Sequence, residues 1–397
     1  MSSQSCGAAE GTTVEGSGLC CAAGVVAWFG SKLPELSVVT GSLYGVSSSR
    51  RKRHHVVPRL HLRGFATSDG LLTQIDLNTG HQRDVSVGDA AVIRDFYTVV
   101  LPDGTRTDAW ERWLSDVENE IAPALRRAVA MPTFQLTSDD RERLARWIAL
   151  QYLRGPSNRR QLDEIASMTI RMQVSMGGLA YLRHAMSQGL GRDVTMSEAE
   201  DVWDDITSRD GPDIAVTGDE HLEILLRMYD TASATIYGRS WGRIRFERHR
   251  LAVSDAPVNL VPGEDYLAAG LAGARAITVP LDRQTLLWLE LPGELGPPED
   301  RDLEPTSVIA RAHNHIAVAG AERFVYFHPA DDPIPADAAP RPRPKRLEVV
   351  GGGLDLVNRD RPLTDVLEQI AARSNRSADS LIADYKWPIS GYRPRAC

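Results

Sequence analysis

Twelve residues hold the densest set of chemically useful side chains: HHVVPRLHLRGF, from His54 to Phe65. The adjacent imidazoles of His54 and His55 are of the type that serves as a general base near neutral pH. In an extended segment they point to opposite sides, so only one can face a given site. The stretch then predicts a short helix, with Pro58 at its first position and Gly64 as its left-handed stop. Arg59 and Arg63 fall one turn apart on one face of that helix. Guanidiniums so placed suit a phosphate or a carboxylate. The blander alternatives are a buried, hydrogen-bonded imidazole beside an exposed one, and a solvated arginine face.

Further candidates lie far along the chain. QYLRGPSNRR offers Gln151, Arg154, Arg159 and Arg160. Gln151 falls on the apolar side of its helix, where a polar group must find a partner. Glu118, beside the apolar stripe of the preceding helix, is placed to pair with one of these arginines. Ser254 and Asp255 end a strand shortly before Pro257, where an acid either caps a turn or faces a pocket. Asn314 lies off the Val308/Ala312/Ile316/Ala319 stripe of a late helix. His313 and His315, two apart, cannot share a metal from one helix.

Brought together, His55, His54 and Asp255 would form the catalytic group, and Arg59, Gln151, Arg154 and Asn314 the ligand-binding group. Such a site would bind or act on an anionic ligand, a nucleotide or nucleic acid. The residues name no metal set and no cofactor. A competing reading makes the same side chains a buried network that locks sheet to helices without catalysis. A third is a metal-dependent nuclease, because HHVVP resembles the start of His-Asn-His nucleases. Against it, Asn78 comes too late and sits in a turn, and Asp89 and Ala90 stand where a helical histidine should begin.

The elements that must hold these residues read as α+β. An N-terminal β-meander is expected first. Leu71, Thr73, Ile75 and Leu77 alternate onto one face, Asn78-Thr79-Gly80 turns, HQRDVSV returns, and AVIRDFYTVV follows. A central helical block comes next. Asp108 with Glu111, Thr137 with Asp140, and Thr195 with Glu198 have capping spacing. Trp110, Leu114, Ile121 and Leu125 mark one apolar stripe, and Leu222, Leu225, Tyr229, Ala232 and Ile236 another. Returning β-strands are predicted at WGRIRFE, LAVS, ARAITVPL and TLLWLEL, then a helix from about Thr306 and the strand RFVYF.

Flanking segments have other compositions. Residues 1–49 read as a flexible leader with no periodicity, even a start placed upstream of the real one. Residues 50–329 form the α+β core, 330–346 a Pro-rich linker and 347–397 a small helical tail. Two short amphipathic helices between Thr364 and Trp387 look somewhat like the pair of ribbon-helix-helix DNA-binding proteins. Docking on the body is favoured over DNA binding, because Leu347–Gly353 is glycine-rich where a groove-reading strand is needed.

The chain has 397 residues, 42% hydrophobic and 25% charged, with net charge −8. That balance excludes a generally basic, nucleic-acid-coating surface but not a local basic patch. Cys6, Cys20, Cys21 and Cys397 all lie near the ends, which fits a reducing cytoplasm. The run Leu19–Gly30 is too short to span a bilayer, so no membrane partner is expected. Oligomeric state is not written in these features.

HHVVPRLHLRGF, RDFYT (Arg94–Thr98), QYLRGPSNR, VSDAPV and the Asn314 helix running into RFVYF together resemble an uncharacterised bacterial family, domain of unknown function 4238. The resemblance covers about residues 52–329. His61 stands where an aromatic is usual and Gly155 where threonine is common. It implies a cytoplasmic α+β protein whose polar motifs come from distant regions, and no activity or substrate.

Overall fold

The computed structural model describes residues 53–100, 106–107, 109–208, 218–261, 270–291, 300–340, 359–360, 362–365 and 367–368. The leader, the Asp108 cap, Leu347–Gly353 and the second tail helix lie outside the described residues, as do all four cysteines.

The opening stretch folds as β1 (Arg53–His55) followed by α1 (Arg59–Leu62) and a 3-10 turn, Arg63–Phe65. Pro58 sits one residue earlier than expected, as the N-cap, with an extended ψ of 139°. Gly64 is not a left-handed stop. It is needed for space: a Cβ there would lie 2.9 Å from the Asp282 Cβ and from the Leu281 carbonyl oxygen.

Next come β2 (Leu71–Asp76), β3 (Gln82–Ser86), β4 (Val92–Arg94), β5 (Val99–Val100) and β6 (Arg106–Thr107). β2 and β3 form the expected hairpin, with Gly80 at φ +69° in its turn. The third run does not extend it. β4 pairs with β1, and β5 with β6. The alternation on β2 is shared between two faces: Leu72 is fully buried, Leu71 is 41% exposed, and Ile75 packs on a separate cluster.

The helical block contains α2 (Ala109–Ala130), α3 (Ser138–Leu153), α4 (Pro156–Leu190), α5 (Met196–Thr207) and α6 (Gly218–Tyr237). Thr137 caps α3 by accepting the Asp140 N–H, and Thr195 and Glu198 close a full capping box on α5. Gly178, at φ 82°, breaks α4 into two segments. The returning strands are β7 (Ser240–Arg245), β8 (Val253–Ser254) and β9 (Asn259–Val261). After a single turn, α7 (Gly270–Gly273), come β10 (Ala276–Pro280), β11 (Thr285–Glu290), β12 (Arg301–Leu303), α8 (Ser307–Gly320) and β13 (Phe324–Phe327).

A five-stranded sheet in the order β12-β7-β11-β10-β9 separates two cores. On one face Trp241, Leu287, Leu289, Ile277 and Val279 pack against Leu114, Ile121, Trp147 and Ile148 of α2 and α3. On the other, Ile244 and Leu286 meet Leu62, Phe65, Leu72 and Tyr326. The period-2 alternation of β7 and β11 produces this split. A second, antiparallel sheet runs β3-β2-β13-β8, so the first hairpin is closed by the last strand.

Two elements differ from their sequence reading in ways that bear on the site. α8 buries Ala310, His313, Asn314, Ala317 and Val318, whereas Val308 is 74% exposed. Two polar residues on the inner face had disguised it. Beyond β13, Ile334 and Ala338 pack beside Phe327 and Val318, and Asp331 pairs with Arg283. The proline-rich segment thus begins as chain docked on the body. Further on, the Leu179 N–H donates to the Arg359 carbonyl, placing that residue against α4.

Candidate functional site

β1 and α1 stand against α2 and leave a cavity of about 390 Å3 between them. It is lined by Arg53, His55, Arg59, Glu111, Leu114, Ser115 and Glu118. Its size falls near the lower end of the ~300–1,000 Å3 typical of small-molecule pockets. Glu111, Ser115 and Glu118 recur at intervals of four and three residues, one face of α2, with Leu114 between them. This polar stripe beside the Trp110/Leu114/Ile121 stripe was the signal that the sequence reading passed over, together with Arg53.

The two histidines take opposite sides, as the alternation requires. His54 is fully buried, its Nδ1 accepting the Tyr97 N–H at 2.8 Å while the rings stack with centroids 5.7 Å apart. It locks β1 to the chain after β4 and does not reach the cavity. His55 does. Its Nε2 lies 3.2 Å from the Arg59 Nε and 3.3 Å from the Gly88 carbonyl. One nitrogen cannot serve both, since it must accept from the arginine or donate to the carbonyl. Burial, reinforced by the Arg59 charge, lowers the His55 pKa to about 4, so the ring is neutral near pH 7.

The arginines divide by partner. Arg53 is paired with Asp89 at an exposed position. Arg59 has no carboxylate partner among the described residues; its one hydrogen bond goes to His55. Arg63 is exposed. Arg154, at the C-cap of α3, is fully buried and donates through Nη2 to Glu118 at 3.0 Å and to Gln151 Oε1 at 3.1 Å. The expected pairing of Glu118 with one of the α3 arginines is therefore present. Arg154 Nε and Nη1, Gln151 Nε2 and Tyr97 Oη have no protein partner despite their burial. Arg154 and Tyr97 also line a second cavity, of about 20 Å3, with Arg159 and His221. That is room for one water molecule.

Asp255 and Asn314, expected in the same site, are elsewhere. The Asp255 carboxylate accepts the N–H groups of Glu322, Arg323 and Phe324 at 2.7, 2.8 and 2.9 Å. It ties the β8 end to the start of β13. Burial pushes its pKa up to about 6 against the pull of those three amides, so it is ionised near pH 7. Asn314 accepts from the Ala252 N–H and donates to the Arg250 and Pro333 carbonyls, which uses its amide fully. Neither lines the cavity. Both belong to the buried-network reading, in which polar groups far apart in sequence are gathered because each finds its partners.

The nuclease geometry does not form. Asn78 stays in the β2–β3 turn with its N–H donating to Asp76, and Asp89 follows β3 rather than a helix. Among the described residues no three His, Cys, Asp or Glu side chains come together as a metal site. No described helix is long and apolar enough to cross a membrane.

One class of residue was missed outright. Arg141, Arg239 and Arg243 are buried and fasten backbone carbonyls: Arg243 holds Ala128, Met131 and Pro132, and Arg239 holds Leu289 and Ala274. They clamp the helix ends to the five-stranded sheet. A residue-count reading had no way to separate them from surface arginines.

A family model described as Protein of unknown function (DUF4238) matches residues 53–331. The chain belongs to that family. No curated protein and no solved structure matches it. The matched range begins at β1 and ends just beyond β13, so it takes in both walls of the cavity, the Asp255 contacts and the Asn314 contacts to Ala252 and Arg250.

Proposed function

We propose that the cavity between β1–α1 and α2 binds a small anionic ligand of the nucleotide class, with Arg59 as its principal anion contact. The observation that supports this is the Arg59 guanidinium, which borders a cavity of about 390 Å3 and, among the described residues, has an imidazole nitrogen as its hydrogen-bond partner. The edge formed by its two terminal nitrogens remains for a bidentate contact with a phosphate or carboxylate. His55 holds the arginine from behind and is neutral, so it does not repel it. Should the protein also transform its ligand, His55 can accept a proton only in the tautomer whose Nε2–H donates to the Gly88 carbonyl, which releases Arg59, and Asp255 lies outside the cavity. A nucleotide fits a partly open cavity of about 390 Å3 better than a nucleic-acid strand does, and the mixed charge of the lining favours the same choice. A cytoplasmic location belongs to this reading, supported by the lack of cysteine between positions 21 and 397.

Differential scanning of the full chain with inorganic phosphate, nucleoside monophosphates and a short single-stranded oligonucleotide tests the proposal. Saturating ligand raises the melting temperature as RT ln(1 + [L]/Kd), so nucleotides should give a clear upward shift. Arg59→Ala should lose most of that shift and keep the parent melting temperature without ligand. A parent protein unmoved by every one of these anions would refute the reading.

A further inference from the structure

The cavity has two unlike walls. Arg59 and Arg53 stand on one side, and on the other α2 presents Glu111, Leu114, Ser115 and Glu118. A purely anionic ligand would be met by two carboxylates as well as by arginine, which costs affinity unless part of it donates hydrogen bonds. The preferred ligand must therefore be anionic at one end and a donor at the other.

Among nucleobases only guanine places two adjacent donors, N1–H and the exocyclic amine, on its pairing edge. A carboxylate accepts both at once. Adenine and cytosine turn a ring-nitrogen lone pair toward the same carboxylate, and uracil flanks its single N–H with two carbonyl oxygens. Each of these sets acceptor against acceptor.

Glu118 is fixed for this task. Its Oε1 accepts from the fully buried Arg154, while the side chain keeps 23% exposure and borders the cavity. The arginine restricts the rotation of the carboxylate, which is preorganisation of an acceptor. Leu114, between the two glutamates on the helix face, borders the cavity but is almost wholly buried in the core, so the polar edges carry the selection.

Resting on the nucleotide reading above, we infer that this cavity selects guanine nucleotides, with Glu118 as acceptor for the base and Arg59 for the phosphate. Titration calorimetry of the full chain with GMP, AMP, CMP, UMP and inorganic phosphate tests this. GMP should bind about ten- to a hundredfold more tightly than AMP, the range of one bidentate base contact. Glu118→Gln should collapse the GMP-to-AMP ratio toward unity, and Arg59→Ala should weaken all four nucleotides alike. If Glu118→Gln does not fold, the GMP-to-AMP ratio of the parent protein still decides. Equal affinities for the four nucleotides would overturn the guanine inference and leave the nucleotide site standing. Absence of binding by all of them would remove both.

Discussion

Glu118 of α2 and Arg154 at the end of α3 meet at 3.0 Å, the arginine wholly buried and the glutamate open to the cavity. The pair joins two helices and also joins the site to the core, because Arg154 reaches on to Gln151. Its two members differ in exposure, and that asymmetry sets the cost of losing each.

Glu118→Ala should destabilise the fold by roughly 3–5 kcal/mol, because it strands a buried guanidinium. Arg154→Met should cost clearly less, since it also removes the donors that lack partners and leaves only a carboxylate that water can reach. Urea unfolding of the two variants checks the order. A larger loss for the methionine variant would mean that Arg154 contributes packing that the ion pair does not explain.

Asp255→Asn should destabilise by about 3 kcal/mol, because an amide group sets donors against three backbone N–H groups. Ligand-induced shifts in melting temperature should survive in this variant, as Asp255 lies outside the cavity. Loss of those shifts with stability intact would restore Asp255 to the site.

Acid should weaken the fold before most carboxylates titrate. His55, His61 and His313 each have a pKa lowered to about 4, with burial as the leading cause. An unfolded imidazole binds its proton near 6.5, so between 6.5 and 4 the unfolded chain holds more protons and stability falls as the pH falls. Each contributes on the order of 3 kcal/mol at neutral pH. Asp255 opposes this, since its raised pKa makes the native state the better proton binder between about 6 and 3.8, and it strengthens the fold as the pH drops. Urea midpoints at pH 7, 6 and 5 should decline. His61→Phe should flatten the decline, because that ring already packs edge-on against Trp147 and Phe65.

Local signals were legible where one physical rule acted alone. The caps at Thr137 and Thr195, the Leu222/Leu225/Ile236 stripe and the Gly80 turn follow from neighbours in sequence. Pairing partners were not legible, because a strand's period does not name its neighbour. β4 chose β1, and β2 chose β13. The site was half legible for the same reason. His55 and Arg59, read as site residues, both line the cavity, whereas Arg154 lies behind it, paired with Glu118, which the sequence offered as that arginine's structural partner. Asp255 and Asn314 have the same polar character, and only their hydrogen-bond partners show that they fasten loops instead. Arg243 lies within the predicted strand WGRIRFE, and nothing local in that run shows that its position is covered by the end of α2.

The closure of β2 by β13 sets a timetable for biosynthesis. Asp76 must wait for Arg323, 247 residues later, before its ion pair can form. At a synthesis rate of ~5–20 residues per second the nascent hairpin stays without its neighbour for roughly 12–50 s. During that interval the β2 edge is a sticky template for any other extended chain, so crowded translation exposes the protein to misassembly that its finished form does not show.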